Sequence, residues 1–498
     1  MKFINKVLNK LKNYHPSKRE ALCFLLIPIF IGILRSTAID SDTWFILNYG
    51  RYILNNGFPT IDPFTIHEGL HLVIQQWLVD IIFYKGYDLL GNIGIYIIVN
   101  IINLYIVYLT YKILMLTTDN KRNLSVLVTV IITSLFNLFF LTSRPQIFST
   151  SILLTELYLL EKYRKTRNIK VLYTLPLLSV IMINCHASMW LMLFCFYIPI
   201  IVESFKFKIG NISSMGGPKF KLLLILILMI MVGIINPYGI NAMTYVITSY
   251  NVSWIYYLVD EMKTPNIHNT TGIIIYTIVF AIYIIYIVFV NKKISVFHFL
   301  LLLGTTYLAL SSNRGICFFI IASIYPIAYY LQDKFYVIKE PKNILKTKLL
   351  LITCIIVIGI IPFLLVIFKY EPSFPESVNK GIDYLISTEE KENIRLYCSY
   401  EECNYAEYLG IKTYSDSRAE IFLKVNNKKE DVLEELYQLT KDKLNIEDFL
   451  TKYDFTHLIV HKETKLYEEL IDNKQYKIIF EHKANNKYDS TYIIFKKI

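Results

Sequence analysis

Apolar runs close to the roughly 20 residues needed to cross hydrocarbon recur along the chain, from residue 21 to residue 368. They predict eleven spanning helices, over 21–38, 92–115, 124–142, 146–161, 171–185, 188–205, 222–236, 272–290, 296–310, 315–331 and 349–368, joined by polar connections. One more apolar stretch, "HLVIQQWLVDIIFYKGYDLLG" at 71–91, is interrupted by Gln75, Gln76, Asp80 and Lys85. It is read as an amphipathic helix at the membrane interface and not as a span. After Tyr370 the pattern changes: "NIRLYCSY" and "HLIVHK" read as strands, "EDVLEELYQLTKDKL" and "ETKLYEELIDN" as helices, and "YKIIFEHK" with "TYIIFKKI" as a closing hairpin. The expected architecture is an α-helical polytopic membrane protein with a small C-terminal α/β domain. Its segments are a basic N-terminus at 1–20, a transmembrane domain at 21–368 whose first outer loop spans 39–91, and the α/β domain at 369–498.

Charge orients this arrangement. The chain of 498 residues is 54% hydrophobic, with a formal net charge of +11 and a mean hydropathy of +0.43. With eleven spans, one set of connections ("DNKRN", "KYRKTRNIK", "KFKIGNISSMGGPKFK", "NKK", "QDKFYVIKEPKNILKTK") and the N-terminal segment hold roughly two dozen Lys and Arg. The short connections of the other set hold Arg51, Arg144, Lys263, Arg314 and little else. Positive-inside bias explains the excess without a nucleic-acid partner. It predicts a multi-pass protein of the cell membrane with an uncleaved, cytoplasmic N-terminus and an extracytoplasmic C-terminal domain. Counting 71–91 as a span would reverse the bias of every later connection.

The seven cysteines form no metal-ligand spacing. Cys23, Cys185, Cys195, Cys317 and Cys354 lie in or near apolar runs and read as small hydrophobes. Cys398 and Cys403 flank a turn in "CSYEEC" on the predicted outer side, where a local disulfide is open to them.

Unusual polar residues collect at the predicted outer boundary. They are Asp40 and Asp42 after the first span, Arg144 in "TSRPQ", His186 in "INCHASMW", Glu261 and Lys263 in "DEMKTP", and Arg314 in "SSNRG". Each has a structural reading. Asp40 in "DSDTW" suits a helix cap, Arg144 a snorkelling residue between two spans, His186 a hydrogen-bonded structural histidine, Asp62 before Pro63 a turn residue, and "NPYG" a turn. Together, ionisable groups gathered at one face of an apolar bundle point to a shared polar cavity, because each is costly near hydrocarbon. Carboxylates and guanidiniums in such a cavity suit a reaction between a hydroxyl and a phosphate.

In order and spacing, "DSDTW", "NNGFPTIDPFT", "SRPQ", "NCH", "INPYG", "EMKTP" and "SSNR" resemble the polytopic GT-C glycosyltransferases over nearly the whole chain. The likeness is strongest to a bacterial branch related to the dolichyl-phosphate-mannose and lipid A aminoarabinose transferases. The resemblance implies a GT-C-like fold and an enzyme that moves a hexosyl or pentosyl group, with inversion, from a polyprenyl-phosphate-linked donor. The acceptor would be an envelope glycan, lipid or protein at the outer face, with membrane lipids as the other partners. It implies an essential acid in the first outer loop, matched here by Asp40 and Asp42. The chain has Asp-Ser-Asp where the better-known transferases have adjacent acids, so either carboxylate stands as the base. Arg144, Arg314, Lys263, His186 or a divalent metal (Mg or Mn) would hold the donor phosphate, and Glu261 and Asp62 would orient the acceptor or hold that metal.

Gly50, Gly57 and Pro59 are expected to bracket an amphipathic helix in the first outer loop. "SDSRAE" at 415–420 reads as an Asp–Arg pair that stabilises a connection. The rival functions are a lipid-linked polysaccharide polymerase or ligase, a transporter or flippase of lipid-linked sugars, and a noncatalytic envelope protein. No internal repeat supports transport.

Overall fold

The computed structural model describes residues 18–35, 39–249, 252–290, 292–334, 376–484 and 491–498. The eleventh expected span, 349–368, and most of the basic N-terminal segment lie outside these residues. The chain divides into two compact units. The first comprises Met1–Thr37, Tyr96–Ile235 and Glu261–Tyr370, and the second Ala38–Ile95, Asn236–Asp260 and Glu371–Ile498.

The first unit is helical. Among the described residues, three helices, Asn92–Thr117, Thr270–Phe289 and Asn313–Leu331, are long and apolar enough to cross a membrane. Five shorter apolar helices accompany them: Cys23–Leu34, Leu124–Phe140, Ile169–Cys185, Ala187–Glu203 and Val296–Ser311. The helix Thr270–Phe289 buries Ile275, Val279, Ile282 and Tyr286 on one face and exposes Phe280, Ile284 and Ile287 on the other. A helix apolar on both its packed and exposed faces suits a hydrocarbon surround. Cross-helix polar contacts tie the bundle, including Asn137 Nδ2 to the Pro28 carbonyl at 2.5 Å and Trp190 Nε1 to Ser179 Oγ at 2.7 Å.

At one end of this unit the lysine-rich connections meet. Lys165 pairs with Asp119 at 2.8 Å, Asp333 with Lys121 at 3.6 Å and with Lys292, and Arg167 Nη1 donates to the Gly216 carbonyl at 3.0 Å. Strand β1 (Lys208–Ile209) pairs antiparallel with β2 (Ile212–Ser213), which runs parallel to β3 (Ile294–Ser295). Beneath them Arg164 is buried between Glu161 (2.8 Å) and Glu203 (2.9 Å), and Glu161 also accepts from Tyr325 at 2.9 Å. Arg164 stands near the end of the 21-residue helix Gln146–Thr166. At 1.5 Å per residue, roughly 27 Å separates it from Gln146, close to a hydrocarbon thickness.

The second unit is built on a five-stranded sheet. With β4 (Arg395–Tyr397), β5 (Lys412–Thr413), β6 (His457–His461), β7 (Tyr476–His482) and β8 (Tyr492–Lys497), the order is β5-β4-β6-β8-β7. β4 runs parallel to β5 and β6, while β8 is antiparallel to β6 and β7, the expected closing hairpin. Alternate residues serve two cores. Leu458, Val460, Ile493 and Phe495 face one with Phe449 and Leu436, and Ile459, Tyr492 and Ile494 face the other with Ile382 and Leu385. Both sheet faces are covered, so the strands read as continuous apolar runs. Cys398 and Cys403 are joined as a disulfide across 5.7 Å between Cα atoms.

The segment 39–91, grouped with the transmembrane domain on sequence, packs in this second unit. Tyr49, Ile53, Ile66, Leu70, Leu72 and Ile74 belong to the core that holds Phe422 and Leu458, and Ile66 N–H donates to the Thr413 carbonyl at 2.9 Å beside β5. Two expectations are corrected. The helix predicted over 71–91 begins only at Trp77, because Leu70, Leu72 and Ile74 alternate into the core and pair back to the preceding segment (Leu72 N–H to the Thr60 carbonyl, 2.9 Å). Gly50 does not bracket a helix. It lies inside Ser41–Asn56, where an added Cβ would fall 2.2 Å from the Asp80 carbonyl oxygen, so its missing side chain permits the contact with Trp77–Leu90. Gly57, at φ +82°, does terminate the helix, with its N–H on the Ile53 carbonyl.

Candidate functional site

In the first unit, three residues from three connections converge. Arg144 precedes Pro145 and the helix Gln146–Thr166, Glu261 lies in the short helical turn Asp260–Met262, and Arg314 in the turn Asn313–Gly315. Glu261 bridges the two guanidiniums. Its Oε1 accepts from Arg144 Nη1 at 2.9 Å, and its Oε2 from Arg314 Nε at 3.1 Å and Nη2 at 2.6 Å. The Asn313 N–H on the Lys263 carbonyl, 2.9 Å, fixes two of these connections to one another. Burial alone would raise the Glu261 carboxyl pKa, but Arg314 and Arg144 outweigh it and hold the group below the usual carboxylate range.

The three charges border a cavity of about 220 Å³ whose remaining wall is largely apolar, with Phe139, Phe140, Ile274 and Ile278. Lys263 is not among its lining residues; its side chain is exposed. His186 is buried, and its Nδ1 lies 2.6 Å from Ser149 Oγ. Burial, with a smaller contribution from Arg314, lowers its pKa to about 3, so the imidazole is neutral at physiological pH. Ser149, the fourth residue of the helix that follows Pro145, was missed in the sequence. It is one of many serines in apolar runs, and only the fold sets it against His186.

The acids of the first outer loop belong to the second unit. Asp40 is the N-cap of the helix Ser41–Asn56, accepting from Asp42 N–H at 3.3 Å. Asp42 stands in the first helical turn, where an acid complements the helix dipole. Around this terminus Ser41 Oγ donates to the Glu401 carbonyl at 2.8 Å and accepts from Asn404 Nδ2 at 3.1 Å, so the disulfide loop braces it. Burial first, and then the charges of Glu420 and Asp42, push the Tyr400 hydroxyl pKa well up.

Asp62 makes local contacts that suit a turn residue and one long-range contact that the sequence hid. Its Oδ2 accepts from Thr65 N–H at 3.0 Å and Thr65 Oγ1 at 2.8 Å, while its Oδ1 accepts from Arg418 Nη1 at 2.8 Å. Arg418 also reaches Asp416, Glu407 (3.4 Å) and Tyr49 OH (2.8 Å). Burial and the Asp416 charge push the Glu407 carboxyl well up despite Arg418. The "SDSR" pair is thus part of a buried network linking the first outer loop to the C-terminal segment.

The two carboxylates expected to serve an acceptor or metal, Glu261 and Asp62, both face arginine. Among the described residues no group of three or more His, Cys, Asp or Glu side chains is placed to hold a metal ion. These donor sets match guanidinium rather than a divalent cation.

No family model and no curated protein matches the chain. Among solved structures, it is similar to the crystal structure of the Archaeoglobus fulgidus oligosaccharyltransferase in complex with Zn and sulfate. The likeness has a TM-score of 0.49 and 11% identity, covering 94% of this chain and 72% of that one.

Proposed function

We propose that the chain is a membrane glycosyltransferase that moves a sugar from a polyprenyl-phosphate carrier to the hydroxyl of an envelope acceptor at the outer face, with inversion. The observation that carries this reading is the pair of guanidiniums, Arg144 and Arg314, held at the border of an apolar cavity. Such a cavity suits a ligand that is anionic at one end and hydrocarbon at the other. Phosphate leaves readily, so the chemistry asks for stabilisation of its developing charge and for one base to take the acceptor proton. The arginines would supply the first. Asp42 is assigned the second, since capping its own helix already gives Asp40 a structural task.

The test is to delete the gene, complement it with wild type, Asp42→Asn, Asp40→Asn or Arg314→Ala, and analyse envelope glycans and glycolipids by mass spectrometry. Each variant is first shown to reach the membrane at wild-type levels. The reading expects a sugar-sized mass to vanish on deletion and to return with wild type and Asp40→Asn, because Asn caps helices about as well as Asp. It should not return with Asp42→Asn or Arg314→Ala. Full restoration by all three variants would exclude these roles and favour transport or a noncatalytic protein.

A further inference from the structure

Among the described residues, Arg144, Arg314 and Glu261 are the charged side chains that line the 220 Å³ cavity of the first unit. Two positive charges would suit a ligand with two negative ones. The third residue changes that: Glu261 grips both guanidiniums at 2.6–3.1 Å and leaves the cavity with one net positive charge. Each guanidinium side chain is 21% exposed and the Glu261 side chain 45%, so the two cations are screened less than surface charges would be and the carboxylate is open to the cavity and solvent. His186, buried and hydrogen-bonded to Ser149 nearby, adds no charge at neutral pH. A second observation concerns the uncharged wall. Gln146 Oε1 is buried at this cavity with no hydrogen-bond partner among the described residues, which leaves an acceptor for a hydroxyl carried by the ligand.

We infer that Glu261 is a specificity-determining counter-charge. It matches the cavity to a lipid headgroup with one phosphate charge, a sugar phosphodiester, and sets it against a diphosphate-linked lipid. The inference rests on the phosphate-binding reading above and adds to it the choice between two donor classes. A diphosphate diester carries a second negative charge, which would lie within a few ångströms of the Glu261 carboxylate with no third cation among the described lining residues to offset it. Like-charge juxtaposition of this kind is a general means of rejecting a near-relative of the proper ligand.

The test uses the full-length protein in detergent, with two probes that differ by one phosphate: methyl farnesyl phosphate, carrying one charge, and farnesyl methyl diphosphate, carrying two. Dissociation constants are measured by titration calorimetry for wild type, Glu261→Gln, Glu261→Asp and Arg314→Ala. Wild type should prefer the monophosphate diester. Glu261→Gln should shift the ratio about tenfold toward the diphosphate, and Glu261→Asp, which keeps the charge, should stay near wild type. A ratio unchanged in Glu261→Gln while Arg314→Ala weakens both probes would overturn the role of Glu261 and leave the phosphate site standing. Probes that bind wild type and Arg314→Ala alike would overturn the phosphate site itself. Should Glu261→Gln fail to fold, the wild-type ratio still decides, since a wild-type preference for the diphosphate contradicts the inference.

Discussion

Replacing Arg418 with methionine removes the cation of the most heavily charged buried cluster in the second unit. The side chain is 5% exposed and its partners Asp62, Asp416 and Glu407 are wholly buried. Methionine fills much of the same volume, so the cost is electrostatic. Without the guanidinium, Asp62 and Asp416 cannot both stay ionised, and one must take up a proton. Protonating a carboxyl with an ordinary pKa of about 3.9 at pH 7 costs about 4 kcal/mol, at about 1.4 kcal/mol per pH unit. That agrees with the 3–5 kcal/mol seen on breaking buried ion pairs. For a unit of this size it corresponds to a fall in Tm of roughly 8–16 °C.

The sign follows from linkage. In the variant the folded state binds a proton that the unfolded chain gives up above about pH 4, so its deficit grows as pH rises from 4 to 7 and shrinks toward pH 5. Three of the four tryptophans, Trp44, Trp77 and Trp254, lie in the second unit, and Trp190 in the first. Thermal melts followed by tryptophan fluorescence in a Trp190→Phe background therefore report on the right unit. Adding Asp62→Asn to Arg418→Met should recover part of the loss, because asparagine keeps the turn acceptor for Thr65 and drops the charge. A Tm within 2 °C of the parent at pH 7, or a deficit independent of pH, would refute this account of the cluster.

Two further perturbations probe the helical pair of the first outer loop. Gly50→Ala places a Cβ against the Asp80 backbone and should cost about 1–3 kcal/mol, read by the same melts; a neutral effect would mean that the two helices can separate without loss. Asp80 is fully buried with neither carboxylate oxygen hydrogen-bonded, and burial pushes its pKa well up. The stability tied to its neutral form is present below about pH 4 and is lost as pH rises from there toward the folded-state pKa. Asp80→Asn should flatten that slope, and an unchanged pH profile of the melts would count against a buried neutral Asp80.

What could be read from the sequence was position, not pairing. Arg144, Glu261 and Arg314 stand out because ionisable residues at the ends of apolar runs are costly, and all three do border one cavity. That Glu261 would sit between the two arginines had no signal, since the three lie on separate connections. The C-terminal strands were legible because strands of a sheet covered on both faces read as short, nearly continuous apolar runs bounded by polar residues. The strand-like character of 70–74 was hidden by the apolar helix that follows it, and its pairing partner is the short irregular segment around Thr60 and Asp62, joined by the Ile61–His71 bridge.

The same limit explains why the acids of the first outer loop resist assignment from composition alone. The sequence reads Asp40 as a helix cap and Asp62 before Pro63 as a turn residue, but leaves Asp40 and Asp42 open as the base. The fold separates them by what each carboxylate touches. Asp40 closes a helix terminus, Asp62 is held by Thr65 and by an arginine 356 positions away, and Asp42 stands in the first helical turn beside Tyr400. A carboxylate bound to a guanidinium in a buried cluster is a poor proton acceptor, because protonating it would surrender the ion pair that keeps it folded. By that argument Asp62 is the least suited of the three to act as a base, and a loss of transfer in Asp62→Asn should be accompanied by a loss of stability, whereas a loss in Asp42→Asn should not.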